Sequence, residues 1–474
     1  MSSHTHSHDV SAHPRRSRPT LSMKFSIAVT TAALAVVTSF ASASDQVPGQ
    51  SSQNVALVGG TVYPVTGEPI ENGVVVIRDG KIETVASADG FDVPDGVEEM
   101  DVRGKCVYPG LFDPSSQIGL FEIGAVGESV DTSEAGLINP NAQAQVAVNP
   151  DSEIIPTVRA NGILLAHVHP VGGLVSGQGA IIQLDGWTWE DLTVEAPTGI
   201  VASWPSMLPR QAWWLETSVE QQLRQRDERL QSIEDLFDDA ERYKTAREAA
   251  GLDSAPTSRP ASVNDDPDAD APPVDARLEA MVPMLDGSLP ILLGANEASQ
   301  IEAAVAFAKR RGLRPIIVGG NEAWKVADLL VSNDVPVILD GTQRSPGGRD
   351  ADIDAAFALP HKLREAGVKF AISDDREPAF SRNLPYHAAS AVPFGLSQAD
   401  ALASITLWPA EILGVSDRVG SLDAGKDATL FVADGNILEV TSNVTHAWIQ
   451  GRPVDLSSHH TQLNEKYKQR YGQN

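Results

Sequence analysis

Short apolar runs separated by amphipathic stretches dominate the middle of the chain. Residues 162–166, 180–184, 290–293, 315–318, 335–339 and 368–372 each read as a brief strand. Helical patterns follow several of them, as at 298–310 and 322–330. Strands alternating with helices in this way argue for a parallel β/α architecture. The two ends of the chain differ. Residues 54–108 alternate apolar and polar positions between turns at Gly59-Gly60, Gly67, Asn72-Gly73, Asp79-Gly80 and Gly104, and residues 419–456 repeat that texture. Such alternation with glycine turns predicts antiparallel strands.

Two features interrupt or repeat the rhythm. From 218 to 250 the chain is charged and helix-forming, with Leu223, Leu230, Ile233, Leu236 and Phe237 at helical spacing. It then enters 253–273, a Pro-, Asp-, Ser- and Ala-rich loop. The insertion is expected to lie to the side of the main body rather than to cover a strand-end site as a lid. Elsewhere Gly294-Ala295-Asn296-Glu297-Ala298 is echoed by Gly319-Gly320-Asn321-Glu322-Ala323. Each pattern ends a strand with Gly and starts a helix, which predicts Asn as the N-cap and Glu in the first turn.

Composition narrows the setting. A chain of 474 residues suits one large unit with a satellite domain. A net charge of −27 makes nucleic acid or an anionic membrane surface an unsuitable partner. Lys24, the apolar stretch 27–40 and Ala41-Ser42-Ala43 have the layout of a signal peptide over 23–43. That predicts export, a mature chain starting near Ser44 in the periplasm or outside the cell, and loss of residues 1–22 with their histidines. The apolar stretch is too short for a stable membrane-spanning helix, so no anchor is expected in the mature chain. Cys106 is the only cysteine, which rules out an internal disulfide and a cysteine metal site.

Residues 102–113, Val-Arg-Gly-Lys-Cys-Val-Tyr-Pro-Gly-Leu-Phe-Asp, resemble the start of the first barrel strand in the amidohydrolase superfamily, above all its imidazolonepropionase-like and dihydroorotase-like branches. Residues 74–82 resemble the hairpin before that barrel, and 408–414, 419–430 and 447–454 resemble the closing segment. The resemblance implies a (β/α)8 TIM-like barrel over 109–418, carrying the insertion at 218–273. It further implies a small composite β-sandwich from 54–108 and 419–456, followed by a tail at 457–474.

It also implies a chemistry. Members of this family usually bind divalent metal through His-x-His after strand 1, a Lys or Glu on strand 4 and histidines on strands 5 and 6, with an Asp after strand 8 taking a proton from water. Here Ser115 and Gln117 replace the first pair, and Gly294-Ala295-Asn296 and Val318-Gly319-Gly320 carry no histidine. A hydroxyl and an amide are poor zinc ligands beside imidazole. Asp374 survives as the catalytic acid/base. His167-Val168-His169 ends a strand and is the candidate surrogate for one divalent metal such as zinc; the other reading is two structural histidines and no metal. Asn296, Asn321 and Arg376 are candidates for binding a small-molecule substrate. The implied function is an exported hydrolase of carbon–nitrogen bonds other than peptide bonds, with a degenerate metal site. The alternative is an inactive barrel retained as a binding or scaffolding protein in the cell envelope. Oligomeric state is open at this point.

Overall fold

The computed structural model describes residues 51–210, 216–250, 273–347, 351–374 and 378–472. The 1–22 extension, the 23–43 signal segment, most of the 253–273 loop, Asp375 and Arg376 lie outside the described residues. Among the described residues, no helix is long and apolar enough to cross a membrane.

The first strands among the described residues are β1 (Val55–Val62), β2 (Ile70–Arg78), β3 (Lys81–Ser87), β4 (Glu98–Asp101) and β5 (Cys106–Pro109). The turn at Asp79-Gly80, both at positive φ, sets the β2–β3 hairpin. It continues through β6 (Leu111–Ser116), β7 (Ile163–Val168), β8 (Val175–Gln178), β9 (Ala180–Gln183), β10 (Thr193–Glu195) and β11 (Ile200–Ser203). Then come β12 (Ile291–Ala295), β13 (Pro315–Gly319), β14 (Val337–Leu339) and β15 (Phe370–Ile372), and last β16 (Leu430–Ala433), β17 (Val444–Ile449) and β18 (Arg452–Pro453). One sheet joins the two chain ends, because β16 pairs antiparallel with β5, setting Leu430 against Pro109 and Val432 against Val107. Its alternate residues bury a common face that includes Leu57, Val75, Ile77, Val107, Val432 and Trp448.

The middle of the chain forms two further sheets. In one, β6 and β7 are parallel and β9 and β10 follow antiparallel. In the other, β11 to β15 run parallel in sequence order, with β8 antiparallel at the β11 edge. One apolar cluster takes a side chain from each of seven strands in both sheets: Phe112, Leu165, Ile181, Val201, Leu292, Ile316 and Ile338. The two sheets therefore share an interior layer, and side chains further along β6, β7 and β15 come together beyond it.

The charged insertion is a helix over Val219–Ala249, opened by a capping box between Ser218 and Gln221. Ile233, Leu236, Phe237, Ala240 and Tyr243 form its buried stripe. Phe237 meets Phe307 of the Ala298–Arg310 helix edge-on at 5.0 Å, and Arg311 pairs with Glu234, Asp238 and Glu241. This half of the insertion packs beside the helix that follows β12, and its first turns bond to Met207 and Arg210 in the segment after β11. The Asn-Glu echo needs a correction. The cap of the Ala298–Arg310 helix is Glu297, in a capping box with Gln300, and Glu322 caps the next helical turn. Asn296 and Asn321 each stand one residue earlier; at the first, Gln300 accepts from the Asn296 and Glu297 amides and draws the cap forward.

Candidate functional site

The carboxyl end of β6 carries the first group. Pairing with β7 slips between Asp113 and Ser116, so three steps on β6 oppose two on β7. Such a bulge re-aims side chains at a strand end. Asp113 is completely buried. Its Oδ1 accepts from the Ser115 amide at 3.3 Å and from the Ser373 hydroxyl at 2.9 Å, while Oδ2 has no partner among the described residues. Burial pushes the Asp113 carboxyl up to about 6, with Asp374 adding repulsion and the Ser381, Ser373 and Ser115 contacts opposing it. The Ser373 hydroxyl also meets the Ser115 carbonyl at 2.8 Å, which ties the end of β15 to the end of β6.

β7 supplies His167 and His169, both buried, with ring centroids 5.6 Å apart. Neighbouring groups assign their tautomers. His167 Nδ1 lies 3.1 Å from the Pro114 carbonyl and therefore donates, leaving Nε2 to accept from the Thr198 hydroxyl at 2.8 Å. His169 Nδ1 lies 3.2 Å from the Pro170 carbonyl, so its Nε2 accepts from Ser115 Oγ at 3.0 Å. Gly179 packs on His167, and a Cβ there would overlap Nε2, so a glycine is required at the foot of that ring. Burial, with the neighbouring His169, holds His167 down to about 3; burial also lowers His169.

Asp374 follows β15 and is 2% exposed. His387 Nε2, on the Leu384–Ala391 helix, lies 2.8 Å from Asp374 Oδ1. The Gln343 amide points at His387 Nδ1 at 3.3 Å, which places the imidazole proton on Nε2, facing the carboxylate. The pair is at ion-pair distance without hydrogen-bond alignment, so neither Asp374 oxygen has an aligned donor among the described residues. Gly341 permits the approach, since a Cβ there would come within 2.6 Å of the His387 ring. Sequence reasoning gave His387 no specific role. It gave no role to Asp113, Ser373 or Thr198, although Asp113 stands at the head of the replaced ligand pair.

Asn296 and Asn321 are placed elsewhere. Asn296 Oδ1 accepts from the Asn321 amide at 3.3 Å, and its carbonyl accepts from the Glu322 amide at 2.9 Å. The Glu322 carboxylate in turn accepts from the Ala298 amide. These bonds lock two successive β/α units together. Asn321 Oδ1 is the exception, buried without a partner among the described residues.

The donor set does not fit the family's metal. Ser115 and Gln117 offer a hydroxyl and an amide, the Ser115 hydroxyl is engaged with His169, and both nitrogens of His167 are already hydrogen-bonded. Among the described residues, no group of three His, Cys, Asp or Glu is placed to hold a metal ion.

Residues 354–454 match the Amidohydrolase family. An imidazolonepropionase from Maricaulis maris (strain MCS10) is 28% identical over 169 residues, 35% of this chain and 40% of that protein. The amidohydrolase tasK of Hapsidospora irregularis is 32% identical over 108 residues, 22% of this chain and 11% of that one. The chain thus aligns with well under half the length of these relatives. A crystal structure of an amidohydrolase from Thermotoga maritima MSB8 superposes with a TM-score of 0.72 at 25% identity, covering 85% of this chain and 99% of that one. The family match, the similarity to imidazolonepropionases and the structural superposition together support the amidohydrolase superfamily.

Proposed function

We propose that the protein is an exported hydrolase of small-molecule carbon–nitrogen bonds other than peptide bonds, in which Asp374 takes the proton from the attacking water. The observation that carries this reading is the buried Asp374 carboxylate, beside His387 and without an aligned donor. A buried carboxylate with one close imidazole and no aligned donor is incompletely hydrogen-bonded, which is costly, and a ligand or reacting water is the natural partner for its remaining lone pairs. The reading takes the two central sheets as arcs of one (β/α)8 barrel and the chain-end sheet as its companion β-sandwich. The apolar layer shared by seven strands supports the first, and the β5–β16 pairing supports the second. His387, with its proton on Nε2, positions the carboxylate and stabilises it while ionised.

The test is hydrolysis of a panel of amides and lactams by the wild type and by Asp374→Asn. The variant should lose about 10²–10⁴-fold in rate, with its melting temperature unchanged or raised. Activity within a few-fold of wild type removes Asp374 as the base. A second reading, a binding protein without turnover, draws on the replaced Ser115 and Gln117; saturable ligand binding with no hydrolysis across the panel would favour it. Export through residues 23–43 predicts a mature amino terminus near Ser44, and recovery of Met1 or Met23 on the folded protein overturns it.

A further inference from the structure

The same strand ends hold a second arrangement that the Asp374 chemistry does not use. Ser115 Oγ donates to His169 Nε2 at 3.0 Å, and the far nitrogen of that ring is held by the Pro170 carbonyl at 3.2 Å. A hydroxyl, an imidazole base within hydrogen-bond reach and a third group orienting that base are the elements of an activated nucleophile. His167 has the same pair of contacts, a carbonyl on Nδ1 and a hydroxyl on Nε2, but its hydroxyl partner, Thr198, sits on a loop between β10 and β11 and not at the end of β6. Ser115 is also fixed from behind. Its amide donates to Asp113 Oδ1, and its carbonyl accepts from Ser373, the residue before Asp374. The backbone at Ser115 is thus tied directly to the segment that carries the proposed water-activating base.

We propose that Ser115 is a nucleophile activated by His169, and that the hydrolase forms an acyl-enzyme on it. This rests on the hydrolase reading above and replaces a direct attack by water with two steps. In the first, Ser115 Oγ bonds to the substrate carbonyl carbon while its proton passes to His169 Nε2. The carbon–nitrogen bond then breaks, and that proton goes to the departing amine. In the second, water attacks the ester carbon and gives its proton to Asp374. The carbon–Oγ bond breaks, the proton held by Asp374 passes to Oγ, which restores both groups, and the acid product leaves. No oxidant, reductant or metal enters the balance.

Both side chains are largely covered, Ser115 being 3% and His169 6% exposed, so a small electrophile is the suitable probe. Diisopropyl fluorophosphate reacts by the same first step: Oγ bonds to phosphorus, fluoride leaves, and the proton goes to His169. Incubation of the folded wild-type protein followed by peptide mass spectrometry should find one phosphoryl adduct, on Ser115. His169→Gln should label at least ~10²-fold more slowly, while Asp374→Asn labels within a few-fold of wild type. No adduct on Ser115 of the wild type overturns the proposal without any variant, as does labelling of a folded His169→Gln at the wild-type rate. The two readings fail separately. Hydrolysis that needs Asp374 in a protein never labelled at Ser115 leaves the water-activation reading standing alone. Labelling at Ser115 in a protein whose turnover ignores Asp374 keeps the serine nucleophile and removes Asp374 as the base of both readings.

Discussion

The ends of β6, β7 and β15 and the ends of β12 and β13 occupy comparable places in the sheets but treat polar groups in opposite ways. At the first, Asp113, His167, His169 and Asp374 are buried together, and three carboxylate oxygens lack aligned donors among the described residues. At the second, Asn296, Glu297, Gln300 and Glu322 satisfy one another and the amides of the next helical turns. The first region holds buried carboxylate oxygens without aligned donors beside buried imidazoles, the kind of arrangement that clusters at reactive sites. The second spends its polar groups on joining one β/α unit to the next. Substitutions should therefore separate the two regions in size and in kind.

The largest stability effect should come from His167. The side chain is wholly enclosed and bonded at both nitrogens. His167→Ala leaves the Pro114 carbonyl and the Thr198 hydroxyl without their partner and opens a cavity, a loss of about 3 kcal/mol or more. Urea denaturation reads it. A loss below about 1 kcal/mol would mean that the ring is not the internal brace its contacts describe.

Next in size is a pH effect at Asp113. Its folded value, about 6, lies above the ordinary 3.8, so its contribution to stability is full below about pH 4 and is lost as pH rises through 6. The raised value corresponds to about 3 kcal/mol. His167 runs the other way. Its folded value, about 3, lies below the ordinary 6.5, so its contribution is full above pH 6.5 and is lost on acidification towards 3. Between pH 4 and 6 the two slopes oppose each other. Asp113→Asn removes one of them, so on going from pH 6.5 to 4 the variant should lose about 3 kcal/mol more than wild type. A difference between the two proteins that stays constant across that range would show that Asp113 is not held neutral by burial.

In the second region the effects should be smaller. Glu322→Ala removes an acceptor for the Ala298 amide and an ion pair with Lys325. A loss of about 1 kcal/mol is expected, with hydrolysis unchanged. A change in turnover without a loss of stability would carry the functional region across to β12 and β13.

How much of this was legible in the sequence follows from the same physics. Apolar runs long enough to read, such as those of β7, β9, β12 and β13, lie where the pattern put them, and the helix pattern at 298–310 coincides with Ala298–Arg310. The short β8, Val-Ser-Gly-Gln, and β10, Thr-Val-Glu, gave no apolar signature, because pairing rather than patterning makes them strands. Asp374 was accessible only through resemblance to the family, since an Asp after a strand is also an ordinary turn residue. Its neighbour His387 reaches it from a helix, and the Ser115–His169 contact spans 54 positions. Neither partnership has a local pattern. The misplaced Asn caps show the limit of a propensity rule: Gln300, four residues on, decided the cap through its own side chain.

Asn321 gives the smallest effect and the sharpest test of the contrast. It belongs by position to the structural region, yet its Oδ1 is buried without a hydrogen-bond partner among the described residues. The bond that joins it to Asn296 runs through its backbone amide, which Asn321→Ala retains. The variant removes a desolvated carbonyl that has no partner to lose, so stability should change by about 0.5 kcal/mol or less, and a small gain is compatible with the geometry. Kinetics then decide what the oxygen is for. If Asn321 belongs with the structural joints, kcat and KM both stay at wild-type values. If it receives a donor from the substrate, KM rises about tenfold at constant kcat, the loss of one hydrogen bond made equally in ground and transition states. The second result would extend the functional site from β15 to β13 and dissolve the division between the two regions.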